Sequence, residues 1–479
     1  MCLMISRRSL LVHGSTLTAA AALPRVALAQ APGTNRLPPL FADIERRTFQ
    51  WFWDTANPQN GLVPDNWPNP DFCSIAAVGF ALTAYPVGVA RGWITRAQAR
   101  ARTLTTLRFF WNAPQGPAES GVAGYKGFFY HFLHMDTGLR FKDVELSTVD
   151  TSLLFGGILF AGQFFGGRHR DEVEIRRLAK AIYERAEWPW FFRGEEALSM
   201  GWHPEEGKEF IKKSWTGYNE AMLVYVLGLG SPTHPLPDGT WNAWTATYDK
   251  SWHGEGAERH LAFGPMFAHQ YSHLWIDFRG IRDAPMREAG FDYFENSRRA
   301  TYAQRAYAID NPGKWEGYSG DIWGITASAG PAWAKWQYKG QLCEFRGYSA
   351  RGPEKQPDGF DDGTLAPTAA LGSIAFAPEI VIPAVEAMHG RWGTRIYSRY
   401  GFFDAFNPSF RFAEVALAKG SVDPQAGWVS ADYLGIDQGP ILGGLANHRD
   451  GMIWAAMRRS PVIRTGLKRA GFTGGWLGA

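Results

Sequence analysis

The sequence is poor in cysteine: 479 residues contain three, and one of these, Cys2, lies at the very start. Cys73 and Cys343 are the other two. Two cysteines allow one disulfide in an oxidising compartment, but they exclude a disulfide framework and a cysteine-based metal site.

The chain also lacks a charge excess of either sign, since 49 Lys and Arg face 46 Asp and Glu. Nucleic acids and anionic membranes require a basic surface, so neither is expected as a partner. Beyond the N-terminal segment, no hydrophobic run approaches the length of a membrane span. The composition suits a soluble domain that binds a neutral ligand.

Residues 1–29 have the composition of an export signal. An Arg7-Arg8 pair precedes a run of small and apolar residues without acids, which ends in Ala27-Leu28-Ala29. This small-x-small ending predicts cleavage before Gln30, and the surrounding SRRSLL resembles a twin-arginine signal. We therefore expect export to the periplasm, with secretion left open.

An uncleaved membrane anchor is the alternative reading of this segment. The apolar run is short and is interrupted by His13 and Pro24, which disfavours a span. Cleavage would remove three arginines and no acid, so the mature chain would be electrically balanced.

Aromatic residues are abundant, with 21 Trp, 32 Phe and 17 Tyr. A large core absorbs many such side chains. Sugar-binding clefts also use exposed rings, because a flat apolar face packs on the C–H groups of a pyranose. Composition alone leaves both uses open.

Stretches of helical period alternate with loops rich in Gly, Pro, Asn, Asp and Trp along the whole of residues 30–479. This pattern predicts an all-α domain with a few short strands. Several helices are apolar on every side, as the inner helices of a two-layered α/α barrel would be. The predicted helices are 38–54, 73–91, 95–111, 148–165, 170–188, 217–229, 266–279, 285–308, 365–373, 378–389, 409–417 and 439–458.

The loops at 120–147, 235–265 and 310–364 are long and aromatic. Loops of this length in a compact domain are usually functional. In an α/α barrel they would gather at one end and form a cleft.

Acidic residues recur at the junctions between such loops and the following helices. One acid at a junction is normally a helix cap, but several at equivalent ends of inner helices would converge on one cleft. The acids concerned are Glu145, Asp150, Glu220, Glu316, Asp321 and Asp437.

Glu220 is the most unusual of these acids, because strongly apolar residues follow it in YNEAMLVYVLGLG. Burial would raise its pKa by disfavouring the ionised form. A solvent-facing Glu in a first helical turn is the ordinary alternative. Paired carboxyls in an aromatic groove fit glycoside hydrolysis, in which one protonated acid and one ionised base act together.

Motifs for other chemistries are weak or missing. His269 and His273 have the i, i+4 spacing of zinc ligands, but no Glu lies between them in the metalloprotease pattern. Hydrogen bonding, to a sugar or within the core, suits them better than metal. The sequence has no GxSxG, P-loop or Rossmann fingerprint, so we expect no metal and no cofactor.

Several ordered motifs spread over residues 40–460 resemble the bacterial glucoamylase-like family, which includes the endo-β-1,2-glucanases of glycoside hydrolase family 144. They are SIAAVGFALTAYPVGVARGWITRAQA, ELSTVDTSLL, YNEAMLVYVLGLGSPTHP, GPMFAHQYSHLWIDFR, DGTLAPTAALGSIAFAPE, RYGFFDAFNP and IDQGP. The resemblance implies an (α/α)6 barrel and metal-free, endo-acting, anomer-inverting cleavage of β-1,2-glucan. It makes Glu220 the general acid and Asp437 the general base.

The resemblance implies further sugar-binding acids around this pair, and we expect a wider set of substrate-binding residues there. Trp323 and Tyr433 would stack on sugar rings, and polar side chains would hold sugar hydroxyls. These polar residues are Glu145, Asp150, Asn219, His269 and Asp321. The expected partner is a neutral β-glucan oligo- or polysaccharide, bound by a monomer.

One segment departs from the family pattern. Where relatives commonly carry a Glu-Asn-Tyr-Arg run, this chain has Ala446, Asn447, His448 and Arg449. The lost acid leaves linkage, product pattern and subsites open. A retaining glucan transglycosylase and a non-catalytic glucan-binding protein on the same barrel remain alternatives.

Overall fold

The computed structural model describes residues 37–193 and 197–478, and the predicted export signal lies outside these ranges. The described residues are 45% helical. Its strands are short, and within the described ranges they form two- and three-stranded sheets without a closed sheet. The predicted helix-rich class with a few short strands is confirmed at this level.

The described ranges contain sixteen α-helices. They are α1 Pro39–Thr55, α2 Ile75–Ala90, α3 Arg96–Asn112, α4 Thr148–Phe164, α5 Arg170–Glu184, α6 Trp188–Phe192, α7 Met222–Gly230, α8 Thr240–Thr245, α9 Tyr271–Trp275, α10 Ala284–Ala289, α11 Tyr293–Asp310, α12 Pro367–Leu371, α13 Pro378–Trp392, α14 Gly435–Arg449, α15 Met452–Met457 and α16 Pro461–Arg469.

Seventeen short strands lie between these helices in the same ranges. They are β1 Asn66–Trp67, β2 Phe72–Ser74, β3 Gly124–Tyr125, β4 Phe128–Phe129, β5 Phe132–His134, β6 Leu146–Ser147, β7 Gly201–Trp202, β8 Trp252–His253, β9 His260–Leu261, β10 Ala334–Tyr338, β11 Gln341–Phe345, β12 Tyr397–Ser398, β13 Gly401–Phe402, β14 Phe406–Asn407, β15 Ser421–Asp423, β16 Gly427–Val429 and β17 Tyr433–Leu434.

Helices α2 and α4 form the centre of the main core, because they are apolar on nearly every side and pack directly on each other. Glycine permits the close approach. A Cβ atom on Gly79 would lie 2.2 Å from the Leu153 carbonyl oxygen, and one on Gly157 would lie 2.0 Å from that of Gly79. In contrast, α5 buries one face and exposes the other, as an outer helix does.

Short strands directly precede the N-termini of the inner helices α2, α4 and α14. β2 ends at Ser74, whose hydroxyl caps α2, and β6 ends at Ser147, whose hydroxyl caps α4. β17 likewise runs directly into α14 and pairs with β1. Each junction therefore holds the first turn of an inner helix in a defined place.

The helix predictions hold best for the first part of the chain, where α1 to α5 match the expected ranges within a few residues. Later segments are broken. The predicted helix 285–308 is divided at Gly290, which adopts the left-handed conformation with φ 82°. The segment 439–458 is divided in the same way at Gly451.

Two further helix predictions need correction. The segment 266–279 contains a 3-10 turn and the five-residue α9. The segment 409–417 is irregular, so the helix predicted there is wrong. Trp428 N–H donates to the Phe410 carbonyl at 3.0 Å, and this pairing with β16 competes with helix formation.

Cys73 is buried in β2, Cys343 is half-buried in β11, and both are free thiols. In the part of the chain that the structure describes, no helix combines the length and apolar character needed to cross a bilayer.

Candidate active site

Glu220 lies in the turn that leads into α7. The Asn219 side chain shapes this turn: its Oδ1 accepts hydrogen bonds from Ala221 N–H at 3.0 Å and from Trp244 Nε1–H at 3.3 Å. Ser272, at the second position of α9, donates to the Glu220 carbonyl oxygen at 3.2 Å. The Glu220 backbone is thus fixed between two helices.

The Glu220 carboxyl group is held in conditions that favour its protonated form. Its Oε2 atom is buried and has no hydrogen-bond partner among the described residues. Burial, with a further contribution from the charge of Asp150, raises the pKa of Glu220 to about 7. A half-buried carboxyl with this pKa can hold and donate a proton near neutral pH.

Asp437 occupies the first turn of α14 and is buried. Burial and the adjacent carboxyl group of Asp404 raise the pKa of Asp437 well above its usual range. Its Oδ2 atom also lacks a hydrogen-bond partner within the described ranges.

The hydroxyl of Tyr271 is affected by the charges of both acids. The negative charges of Asp437 and Glu220 both act on its phenol, and together with burial they raise the pKa of Tyr271. The charges of these two carboxyls, 217 positions apart in the sequence, thus reach one hydroxyl group at the start of α9, and the charge of Asp150 reaches it as well.

His131 joins the two acids of the ELSTVDT motif. Its Nδ1 lies 2.9 Å from Glu145 Oε1, and its Nε2 lies 3.4 Å from Asp150 Oδ1. Ser147 Oγ donates to Asp150 Oδ2 at 2.6 Å and completes the chain. Although burial opposes it, the charges of Asp150 and Glu145 raise the pKa of His131 to about 9. The imidazole is therefore a cation at neutral pH.

The ligand atoms of His131, Glu145 and Asp150 lie within 4.8 Å of one another, a spacing that a metal ion could use. However, the two ring nitrogens of His131 face different carboxylates. The three side chains therefore form a salt-bridged chain, in which each ring nitrogen of His131 contacts one carboxylate.

A cavity of about 410 Å³ opens beside these groups. Its acidic member Asp65 has a pKa raised to about 6 by burial, against the effect of His131 and Lys419. The cavity is lined by Asp65, Asn66, Ser74, His131, Phe132, Ala329, Gly330, Trp333, Tyr348, Ala418, Lys419, Leu434 and Ile436.

Two aromatic residues of this cavity are unusually exposed: Trp333 at 70% and Tyr348 at 56%. They flank the hairpin formed by β10 and β11. The Tyr348 hydroxyl also lies close enough to Asp437 and Asp65 for their charges to raise its pKa, in addition to burial of the hydroxyl. These rings are the exposed platforms that a sugar could stack on.

Neither Trp333 nor Tyr348 was predicted from the sequence to be a site residue. Both lie in the long aromatic loop 310–364, for which the stacking role was predicted at Trp323. Trp323 is 0% exposed and lies in the core, so the stacking role predicted for it needs correction. Tyr433 is 4% exposed and packs on Tyr400 and Phe403, so the same correction applies.

Three of the polar residues predicted to bind substrate do not line the cavity. His269 is buried, and its Nδ1 lies 3.0 Å from the Tyr218 hydroxyl, so it is a core histidine whose pKa is lowered by burial. Asp321 is exposed in a turn and does not line the cavity. Asn219 acts through the turn that holds Glu220, as described above. Two other predicted residues, Glu145 and Asp150, lie next to the cavity, because both contact the lining residue His131.

The family departure at Ala446 and His448 lies at the C-terminal end of α14. Asp437 is in the first turn of this helix, roughly 15 Å away at 1.5 Å per residue. Ala446 is buried, and His448 has a pKa lowered by burial. These two residues are therefore remote from Asp437, and neither of them lines the cavity.

A carboxyl that holds its proton near neutral pH, together with a second carboxyl, is the set of groups that glycoside hydrolases use. The family model "Glycoamylase: Putative glucoamylase" matches residues 212–461. The chain belongs to this family, and the resemblance drawn from its motifs is confirmed.

Named relatives agree with this assignment. The chain is 26% identical over 456 residues to an exo β-1,2-glucooligosaccharide sophorohydrolase (non-reducing end) of Parabacteroides distasonis. The match covers 89% of this chain but spans 57% of the length of that curated relative.

Solved structures match over nearly their full length. An endo-β-1,2-glucanase from Chitinophaga pinensis, in complex with sophorotriose and glucose, is 27% identical, with a TM-score of 0.76 and coverage of 91% of this chain and 99% of that one. A Bacteroides uniformis protein that carries the glucoamylase designation is 31% identical, with a TM-score of 0.77 and coverage of 91% and 98%. These relatives support the predicted enzyme class, glycoside hydrolase.

Proposed function

We propose that the protein is an exported glycoside hydrolase that cleaves β-1,2-glucan within the chain and inverts the anomeric configuration. In this proposal the helices form an (α/α)6 barrel with the cavity at one end. Glu220 is the general acid and Asp437 is the general base. The twin-arginine-like segment would direct the folded protein to the periplasm.

The observation that carries the proposal is that the charges of Glu220 and Asp437 both reach the Tyr271 hydroxyl. Glu220 has an unpartnered buried oxygen in the described part of the chain and a pKa of about 7, so it can protonate a leaving glycosidic oxygen. Asp437 is a second buried acid whose charge reaches the same phenol, as the charge of Asp150 also does. It would take a proton from water, directly or through a sugar hydroxyl.

The surroundings of the pair support a neutral sugar as the substrate. Trp333 and Tyr348 offer exposed rings, while His131, Asp65 and Lys419 offer hydrogen-bonding groups to hydroxyls. The apolar inner helices α2, α4, α7 and α14 support the barrel. The Chitinophaga pinensis relative, matched over 99% of its chain, favours endo action.

An exo-acting enzyme that releases sophorose is a second candidate. It is favoured by the Parabacteroides distasonis relative, which is named an exo sophorohydrolase. Product analysis separates the two candidates. Endo action on linear β-1,2-glucan would produce a range of oligosaccharides early in the reaction, whereas the exo enzyme would release the disaccharide alone.

The proposal is tested by incubating the purified protein with a panel of β-linked glucans and following reducing ends, product lengths and optical rotation. We expect cleavage of β-1,2-glucan and initial products of inverted configuration. Retained configuration would overturn the inverting mechanism, and binding without release of reducing ends would overturn the enzyme assignment.

Variants then test the two acids. Glu220→Gln keeps the shape of the side chain but cannot donate a proton, so kcat should fall by roughly 10²–10⁴. Asp437→Asn should cause a loss of similar size. Glu316→Gln is the matched control, because Glu316 is an exposed acid paired with Arg411 outside the cavity. Wild-type activity of Glu220→Gln would remove Glu220 from the mechanism.

A further inference from the structure

Asp404 and Asp437 form a contact between two buried carboxyl groups. Asp404 lies in the loop before β14, Asp437 lies in the first turn of α14, and their side chains are within hydrogen-bonding reach. Among the described residues, Asp404 Oδ1 and Asp437 Oδ2 are both buried without a hydrogen-bond partner.

Two ionised carboxylates cannot satisfy each other, because each can only accept hydrogen bonds. Their like charges also repel strongly in a buried site. A single proton between the two unpartnered oxygens removes both problems. The pair then carries one negative charge, and its two ionisations belong to the pair as a whole.

The remaining oxygens have different surroundings. Asp404 Oδ2 accepts a hydrogen bond from Ala329 N–H at 2.7 Å, so Oδ1 is the oxygen of Asp404 that is left to share a proton. Of the two Asp437 oxygens, Oδ2 is the one that is buried and unpartnered. If Oδ2 shares the proton with Asp404, Oδ1 is left to take a proton from water.

The charged and titratable groups around the pair favour ionised Asp404. Burial raises the pKa of both acids, but for Asp404 the Ala329 N–H and the charge of Arg351 oppose this rise. The charges that act on Asp437 are those of two acids, Asp404 and Asp65. The phenols of Tyr271 and Tyr348, which are affected by the charge of Asp437, are neutral. The groups that face the pair are Asp65, Tyr271, Tyr348, Arg351 and Asp432.

We propose that Asp404 and Asp437 hold one shared proton in the resting enzyme, and that Asp404 receives this proton when Asp437 takes another from the attacking water. Asp404 is then a positioning residue that acts through Asp437. The inference rests on the proposed hydrolase function.

The proton balance of this step is complete. The water O–H bond breaks as its oxygen attacks the anomeric carbon, and the released proton binds Asp437 Oδ1. The proton on Asp437 Oδ2 passes to Asp404 Oδ1, while Glu220 gives its own proton to the leaving oxygen. The pair gains one proton and Glu220 loses one, and exchange with solvent restores the resting state.

Asp404→Asn tests the relay, because an amide cannot take up the proton. We expect kcat to fall at least about 100-fold while KM stays within about 3-fold, and the acidic limb of the pH profile to shift to lower pH. The control is Asp361→Asn, which removes another buried acid that hydrogen-bonds Tyr318 and Tyr307 and does not line the cavity. It should keep the wild-type kcat and pH profile.

Infrared spectroscopy provides a measurement that does not depend on activity. In a Glu220→Gln background at about pH 8, acids with a pKa of about 6, such as Asp65 and Asp361, are ionised. A C=O band from a protonated carboxyl should persist there, and it should disappear on adding Asp404→Asn or Asp437→Asn. If Asp404→Asn folds poorly, the comparison with Asp437→Asn still decides whether the protonated carboxyl belongs to this pair.

The outcomes distinguish the relay from the function on which it rests. If the wild-type protein cleaves no glucan but the infrared band behaves as expected, the proposed function fails and the shared proton stands. If Asp437→Asn is inactive while Asp404→Asn keeps the wild-type kcat and pH profile, the function stands and the relay is overturned. A band that survives Asp404→Asn also overturns the shared proton.

Discussion

Arg351 and Asp362 form a two-point ion pair that is closed to solvent, with Nε–Oδ1 and Nη2–Oδ2 distances of 2.9 Å each. The same guanidinium donates to backbone carbonyls on both sides of the β10–β11 hairpin, including those of Ser328 and Gly347. The pair therefore holds the loop that carries Trp333 and Tyr348 against the cavity.

Removal of one partner of this pair should destabilise the protein strongly. Arg351→Met leaves the Asp362 charge buried and unpaired, which typically costs about 3–5 kcal/mol in the free energy of unfolding. Arg411→Met breaks the half-exposed pair with Glu316 and should cost less than about 1 kcal/mol. Denaturant unfolding of both variants measures the difference, and equal losses would contradict it.

Trp333→Ala should weaken substrate binding more than it affects the chemical step. The exposed ring is the proposed stacking platform, so we expect KM to rise roughly 5- to 10-fold, about 1–1.5 kcal/mol, with little change in kcat. Leu342→Ala is the control, because Leu342 is 64% exposed on the same hairpin and does not line the cavity. Steady-state kinetics on β-1,2-glucan oligosaccharides compare the two, and an unchanged KM for Trp333→Ala would exclude the platform.

The pH dependence of kcat/KM should show an alkaline limb near pH 7. Glu220 must be protonated to act as the acid, and its pKa is raised to about 7 by burial and by Asp150, so activity falls as pH rises through this value. Asp150→Asn removes a nearby negative charge and should move the limb to lower pH, because the Glu220 carboxylate becomes easier to form. A limb that moves to higher pH in this variant would contradict the assignment to Glu220.

His131 should make stability depend on pH in a definite direction. Its pKa in the folded protein is about 9, above the usual 6.5, so its contribution is present in full below about pH 6.5 and is lost as pH rises through about 9. The rise in the His131 pKa corresponds to at most about 3.5 kcal/mol in the free energy of unfolding. In His131→Gln this part of the pH dependence of unfolding should vanish.

The control for His131 is His134→Gln, since His134 is exposed on the neighbouring strand β5. It should leave the pH dependence of the unfolding free energy as in the wild type. If the His131 and His134 variants gave the same profile, the stabilising role of the Glu145–His131–Asp150 chain would be refuted.

Much of the fold and the family could be predicted from contiguous residues. The Thr95–Gln98 capping box forms as expected at the start of α3, and the all-round apolar helices α2 and α4 are buried. These features depend on the residues within one helix and its immediate ends, so the sequence is sufficient to predict them. The motif order likewise identified the family that the comparisons confirm.

The makeup of the cavity depended on tertiary structure. Trp323 and Trp333 are ten positions apart in the same aromatic loop, yet one is wholly buried and the other is 70% exposed. Residue type and local pattern do not distinguish them, because the difference arises from which distant segments cover each ring. The contacts of His131 with Glu145 and of Asp404 with Asp437 also join separate elements. Sequence alone determined the helical pattern and the acids available for chemistry, whereas only long-range packing decided which of these acids meet and which share a proton.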